Sequence, residues 1–384
     1  MPRRILKIFL LLIGVLIVGA LVVGLVGYML ITRIDTVNAA STLTDLPLNQ
    51  WMRIDLSDKT RCSDGSEYRI YARRAGSDNL LIHFAGGGMA WDAQSASHPI
   101  SLTNLNGFYF PIIWEITRAT LGGIFAQDNP RNPFADWNEV YIPYCTADFH
   151  IGHASIDYTL ENGQSLTIYH NGRQNVTEAL DWIYATFKQP SKVVVSGESA
   201  GAFASTFWSP LIATHYPRAA TFNVSDGAYL DTPLWANIVN TVWKADTETM
   251  LGFTPTDNLI NSAYLRPTQS TSPHITYLQI NTLYDGVLTY FASVLNNQKD
   301  DSSFIKAWSQ AMRASAKGVA GSDLDYNYYL TDYGLDTNSG TTPHTSVSGN
   351  LFYDIRQDNI ALADWVRRIV IGAEHVSVGS EFLP

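Results

Sequence analysis

The stretch from Lys192 to His215 constrains this chain more than any other. Lys192–Ser196 reads K-V-V-V-S, a short β-branched run of the kind that forms a buried parallel strand. Gly197-Glu198-Ser199-Ala200-Gly201 follows, and then a helical stretch from Ala202 to His215. This is a G-x-S-x-G elbow in the strand–turn–helix context it requires. A strained turn between small residues holds the Ser199 hydroxyl clear of the sheet. The helix N-terminus beneath it offers backbone N–H groups to a developing oxyanion. The plain alternative is a tight strand–helix turn without chemistry.

Around this elbow, short strands alternate with helices, the pattern of a mostly parallel sheet. Strands are expected at 68–73, 80–84, 140–143, 220–224 and 275–281. Val176, Ala179, Leu180, Ile183, Tyr184 and Phe187 recur at helical spacing, and further helices are expected near 304–316 and 361–371. Segments 92–132 and 232–272 show no clear period and are expected as loops and short helices over the site. The expected fold is α/β-hydrolase-like: one domain over 51–384 with a mostly parallel central sheet flanked by helices.

Ile8–Ile31 contains no charged residue. At about 1.5 Å per residue, such a helix spans the roughly 30 Å hydrocarbon core of a bilayer. It is longer than the apolar region of a cleaved signal peptide, although Val37-Asn38-Ala39 could serve as a cleavage site. Arg3, Arg4 and Lys7 precede the span and Arg33 alone follows it closely, so the N-terminus is expected in the cytoplasm and the domain outside. Residues 1–34 are thus expected as a signal anchor in the lipid bilayer, and the polar stretch 35–50 as a tether. The net charge is -10; the first 34 residues hold four basic and no acidic side chains, leaving -14 on the rest. That balance argues against nucleic acid as a partner. Cys62 and Cys145 both fall outside the membrane under this topology, where one disulfide is expected; the alternative is two buried thiols.

Acyl transfer needs a nucleophile, a base, an orienting acid and oxyanion donors. Leu80–Trp91 reads as a strand running into Gly86-Gly87-Gly88, where bare amides can approach a substrate, or as a mere turn. The Ala200 amide, next to the nucleophile, is the expected partner donor. The order Ser, acid, His leaves His215, His274, His344 and His375 as bases. His215 lies in the elbow helix and His274 opens a strand. His344 sits in a polar loop able to fold over the sheet edge, and His375 follows the last helix. Asp285 follows the 275–281 strand by a short turn and is the expected acid, with Asp226 and Asp231 as rivals. Asp226 precedes Gly227-Ala228 and could instead anchor a turn beside the pocket. His150 and His153 have i, i+3 spacing, but no third residue at ligand spacing accompanies them, so no metal is expected.

Several segments together resemble the pectin acetylesterase family, which also contains the animal Wnt deacylase Notum. They are R-C-S-D-G-S from Arg61, H-F-A-G-G-G from His83, and N-P-F-A-D-W-N-E-V-Y-I-P-Y-C-T-A-D-F-H-I-G-H from Asn132. Y-H-N-G-R-Q-N-V-T-E-A-L-D-W from Tyr169, S-G-E-S-A-G from Ser196 and P-H-T-S before F-Y-D complete the set. The H-x-G-R-x-N and Y-C-T-A-D-x-H-x-G-H forms are closer to bacterial members than to plant ones. The resemblance implies Ser199 as nucleophile, Asp285 as acid, His344 as base, oxyanion donors around Gly86-Gly87 and at Ala200, and a Cys62–Cys145 bridge. It implies a serine esterase acting without cofactor or metal on acetyl or short acyl esters, acetylated polysaccharide by analogy. This chain departs from plant members at Glu198, where they carry Cys, and at Ala202, where they carry Gly. The extra disulfides of the animal enzyme are absent, and the aromatic residue after the glycine loop is delayed to Trp91. A catalytically silent binding protein, or an acyltransferase or peptidase with the same triad, are the competing readings.

Overall fold

The computed structural model describes residues 33–37, 40–160, 162–267 and 274–384, together with Gly24, Gly27 and Tyr28. The expected membrane anchor, residues 1–34, lies outside these residues apart from Gly24, Gly27, Tyr28, Arg33 and Ile34. Among the described residues, no helix is long and apolar enough to cross a membrane.

Among the described residues, nine strands form one sheet: β1 (Asp35–Val37), β2 (Trp51–Asp55), β3 (Arg69–Arg73), β4 (Leu80–Phe84), β5 (Asn138–Ile142), β8 (Lys192–Glu198), β9 (Ala220–Asp226), β10 (Ile275–Thr282) and β11 (Tyr326–Thr331). Their spatial order is β1-β2-β3-β5-β4-β8-β9-β10-β11. β3 runs antiparallel to both its neighbours, and the remaining pairs are parallel. A separate antiparallel hairpin joins β6 (Ala154–Thr159) to β7 (Ser165–His170). The strands β4, β5 and β10 are buried at every position, as expected of interior strands covered on both faces, and so is the edge strand β11.

The main helices are α1 (Gly172–Thr186), α2 (Ala200–His215), α3 (Gly286–Leu295), α4 (Ser302–Ala320) and α5 (Leu362–Val370). On α5, Leu362, Trp365, Val366, Ile369 and Val370 are buried, while Arg368 points outward. That is the apolar stripe of a helix lying on a core. α2 is different. It is buried on nearly every face, because residues 232–267 pack over the side away from the sheet. Pro210 lies inside this helix and cannot donate to the Thr206 carbonyl. The Arg266 guanidinium, itself buried, fills that place: it donates to the Thr206 carbonyl at 2.8 Å and to the Phe207 carbonyl at 3.3 Å.

Two features differ from the sequence-based expectation. The segment 35–50, read as a tether, lies against the domain: β1 pairs in parallel with β2, and Leu46 is buried. Of the two unperiodic segments, the first walls the site described below. The second packs on the outer face of α2, with Trp235 and Trp243 among the largest fully buried side chains. The expected disulfide is present: Cys62 and Cys145 are bridged with their Cα atoms 5.0 Å apart, tying the segment before β3 to the end of β5.

Candidate active site

The parallel register brings four strand ends to one edge. Phe84 pairs with Gly197, Glu198 with Asp226, and Asp226 with Ile280. The loops that leave β4, β8, β9 and β10 therefore emerge together, where open α/β sheets hold their sites. Ser199 has φ 53° and ψ −125°, a strained conformation for a residue with a side chain. Its amide donates to the Asp226 carbonyl at 2.8 Å. The turn exists because its flanks are bare: a Cβ on Gly201 would lie 2.0 Å from the Phe84 carbonyl oxygen. Gly86 is also crowded: a Cβ there would sit 2.6 Å from the Glu198 carbonyl oxygen and 2.9 Å from the Cβ of Ser199.

Asp285 is buried and N-caps α3, its Oδ1 accepting from the Val287 and Leu288 amides at 3.0 and 2.9 Å. Its Oδ2 lies 2.7 Å from His344 Nδ1. The two loops are zipped together. The Thr342 amide donates to the Tyr284 carbonyl at 2.9 Å, and the Thr282 hydroxyl to the Pro343 carbonyl at 2.9 Å. Burial works against a charged His344 imidazole, but the Asp285 carboxylate outweighs it, with help from Asp226 and Glu198. The result is a pKa raised above the ordinary histidine value.

Asp226 does not contact the imidazole. Its Oδ2 accepts from the Ser346 amide at 2.6 Å, the Ser346 hydroxyl at 3.1 Å and the Val347 amide at 2.9 Å. It anchors the His344 loop while its own carbonyl holds the Ser199 amide. Burial pushes its carboxyl up to about 6, against the pull of those hydrogen bonds. The other rivals lie elsewhere. His375 bonds Asp325 at 2.8 Å, His274 sits 3.4 Å from the same carboxylate, and His215 stacks on Tyr184. Asp231 lines a separate cavity.

Among the described residues, the Gly86 and Gly87 amides find no intramolecular acceptor, and Ala200 is the first residue of α2, where N–H groups have no helical partner. The glycine loop is held from behind by the segment 144–150. Tyr144 Oη donates to the Gly88 carbonyl at 2.9 Å, and the Ala90 amide to the Ala147 carbonyl at 3.0 Å. His150 Nε2 lies 2.9 Å from the Ala85 carbonyl, which can only accept, so this nitrogen carries the proton. Burial pushes the His150 pKa down to about 4. His150 is thus a buttress; among the described residues no group of three or more His, Cys, Asp or Glu side chains could hold a metal.

Ser199 and His344 open onto one cavity of about 600 Å³, walled by Ile100, Leu105 and Phe110 from the first unperiodic segment and by Tyr290 and Phe291 from α3. A pinched apolar recess of about 10 Å³ lies between Ser199, Ala200, Met89, Phe203, Leu288 and Phe291. It has room for little more than one methyl-sized group. Glu198 also faces the large cavity. Burial opposes its charge, but His83 and Ser348 more than offset this and hold its carboxyl below the ordinary value. Sequence reasoning named Glu198 only as a departure from a pattern and missed Tyr144 as a support. The Y-C-T-A-D-F-H-I-G-H segment carried the only signal for Tyr144 and His150, and it says nothing about where either side chain points.

Comparison with known proteins agrees with this architecture. Residues 45–250 match the family described as Pectinacetylesterase, a span that includes Ser199 and the glycine loop and ends before Asp285 and His344. Pectin acetylesterase 4 of Arabidopsis thaliana is 26% identical over 220 residues, 53% of this chain and 51% of the relative. The palmitoleoyl-protein carboxylesterase NOTUM of Schmidtea mediterranea is 30% identical over 151 residues, 38% of this chain and 27% of the relative. The chain therefore spans about half the length of the first and about a quarter of the second. The solved structure of the Wnt deacylase Notum from Drosophila superposes with a TM-score of 0.60 at 16% identity, covering 86% of this chain and 99% of that one. The shared fold is a Notum-like α/β hydrolase.

Proposed function

The chain belongs to the pectinacetylesterase family, and from that premise we propose that it is a serine carboxylesterase whose triad is Ser199, His344 and Asp285. The observation that carries the reading is the 2.7 Å Asp285–His344 contact at the rim of the cavity that Ser199 also lines. In this reading Ser199 Oγ attacks the ester carbonyl carbon while His344 Nε2 takes its proton. Asp285 holds the Nδ1–H tautomer and stabilises the imidazolium. The oxyanion sits on the Gly86, Gly87 and Ala200 amides, each donor contributing about 10²–10³ in kcat. The imidazolium protonates the departing alcohol, and water activated by the same histidine then releases the acid.

The acyl group is short. The recess beside Ala200 lies where an acyl substituent would point once the carbonyl oxygen sits on the donors, and it admits about one methyl. The large cavity then receives the alcohol. Residues 8–31 serve as an uncleaved anchor that keeps the domain outside the cytoplasm. The test is turnover of p-nitrophenyl acetate by the full-length chain with Ser199→Ala beside it. Undiminished activity in the variant, or strict dependence on a chelatable metal, would sink the assignment. A p-nitrophenyl ester series from acetate to octanoate tests the short-acyl reading, which fails if kcat/KM rises with chain length.

A further inference from the structure

Glu198 stands in the wall between two cavities. One is the catalytic cavity; the other, of about 370 Å³, is lined by Trp114, Tyr141 and Tyr144 and shares Gly86, Phe110 and Glu198 with the first. Among the described residues lining the two, Glu198 is the sole carboxylate, and none is a lysine or arginine. Its Oε2 is buried and lacks a hydrogen-bond partner. Its charge is supported from behind by His83, whose Nε2 lies 3.5 Å from Oε2, and by Ser348; His83 is a fully buried strand residue stacked on Tyr141, and neither residue lines either cavity. Arg69 reaches the 113–115 segment but is committed to Glu115 at 2.6 Å, to Tyr71 Oη at 2.9 Å and to the Ile113 carbonyl. A carboxylate held charged among aromatic walls, with no lysine or arginine lining either cavity, is an environment that offers a ligand cation an opposite charge.

We propose that the second cavity is a subsite for an ammonium group carried on the alcohol side of the ester, with Glu198 as its counter-ion. The inference rests on the esterase reading for the position of the alcohol. A quaternary or alkyl ammonium gains an opposite charge and aromatic surface there, in a site of reduced dielectric where the attraction is little screened. A polyuronate meets the reverse: each carboxylate it brings lies near Glu198 with no cation to receive it, and like-charge juxtaposition disfavours the wrong partner. The site thus selects against the anionic polymer that the family name suggests.

The experiment compares acetylthiocholine with its neutral isostere 3,3-dimethylbutyl thioacetate, and measures tetramethylammonium binding by calorimetry, all on the full-length chain. Wild type is expected to favour the cationic ester about tenfold in kcat/KM, Glu198→Gln to bring the ratio near one, and Trp114→Ala to reduce it. Tetramethylammonium is expected to bind wild type and Ser199→Ala alike and to be lost from Glu198→Gln. A wild-type ratio near one, a ratio unchanged in Glu198→Gln, or faster turnover of acetylated pectin than of acetylthiocholine would overturn the proposal. Hydrolysis of both esters without tetramethylammonium binding refutes the subsite and leaves the esterase intact. Binding lost in Glu198→Gln, with no hydrolysis of any ester, does the reverse.

Discussion

Asp226 offers the most discriminating perturbation because its side chain can be changed in two ways with opposite consequences. Asp226→Ala removes the acceptor of two buried amides, Ser346 and Val347. At about 1–3 kcal/mol for each buried donor left unsatisfied, the loss is roughly 2–6 kcal/mol, concentrated in the loop that carries His344. Asp226→Asn keeps a carbonyl oxygen for both amides and removes only the charge. Burial raises the Asp226 pKa from 3.8 to about 6, which makes ionisation in the fold unfavourable by about 3 kcal/mol. A raised carboxyl pKa supplies stability that is full below pH 3.8 and is lost as the pH rises through about 6. Asn has no such loss. The expected outcome is equal stability of Asn variant and wild type near pH 4, and a more stable Asn variant at pH 8, by up to about 3 kcal/mol. Thermal unfolding of the full-length proteins across pH 4–8 measures this, with esterase kinetics in parallel. The Ala variant is expected to unfold earlier at every pH and to lose at least about tenfold in kcat, since about 1.4 kcal/mol suffices for that. An Asn variant as unstable as the Ala variant at pH 8 would refute the burial argument. A folded but inactive Asn variant would return Asp226 to the role of catalytic acid.

Three further outcomes are expected. The base must be neutral to act, and the His344 pKa is raised, so kcat/KM should climb with pH through a midpoint above 6.5. Asp285→Asn should lower that midpoint and reduce kcat by about 10³–10⁴; pH–rate profiles decide, and an unmoved midpoint counts against the pair. Gly201→Ala should fail to yield folded protein by circular dichroism and limited proteolysis, because its Cβ meets the Phe84 carbonyl at 2.0 Å. Replacing both Cys62 and Cys145 by Ala opens a loop of sequence separation 83, and loop-closure entropy puts the loss near 4–5 kcal/mol; a denaturant midpoint within error of wild type would contradict it.

The elbow, the glycine loop and Asp285 were legible because each follows a strand closely, and His344 because it falls in a polar loop beyond the last strand of the sheet; the roles proposed for them follow the Ser, acid, His order along the chain. The six strands β4, β5, β8, β9, β10 and β11 were less evenly readable. Five carry aliphatic runs or stand beside a motif. β11 reads Y-N-Y-Y-L-T, and its burial comes from tertiary cover that no local pattern declares. β1 was hidden for the opposite reason: three residues of ordinary polarity become a strand only by pairing with β2. The hairpin β6–β7 alternates half-buried and exposed residues in β6 and leaves little apolar signal. At the site, sequence order could rank Asp285 above Asp226. It could not reveal that Asp226 joins the two loops, nor that Glu198 turns toward a second cavity. Both depend on side-chain direction at a sheet edge.

The Pro210–Arg266 contact carries an evolutionary corollary. Proline frees the Thr206 carbonyl and arginine occupies it, so each residue makes the other necessary. With Pro210 retained, Arg266→Met strands a buried acceptor inside the helix that Ser199 caps. With Pro210→Ala, the helix recovers its own donor and the guanidinium must compete with it or be displaced. The two positions therefore form an epistatic pair, and a lineage can leave this state through the helix first but not through the arginine. Homologues with arginine and no proline should be found as intermediates, while those with proline and no arginine should be rare.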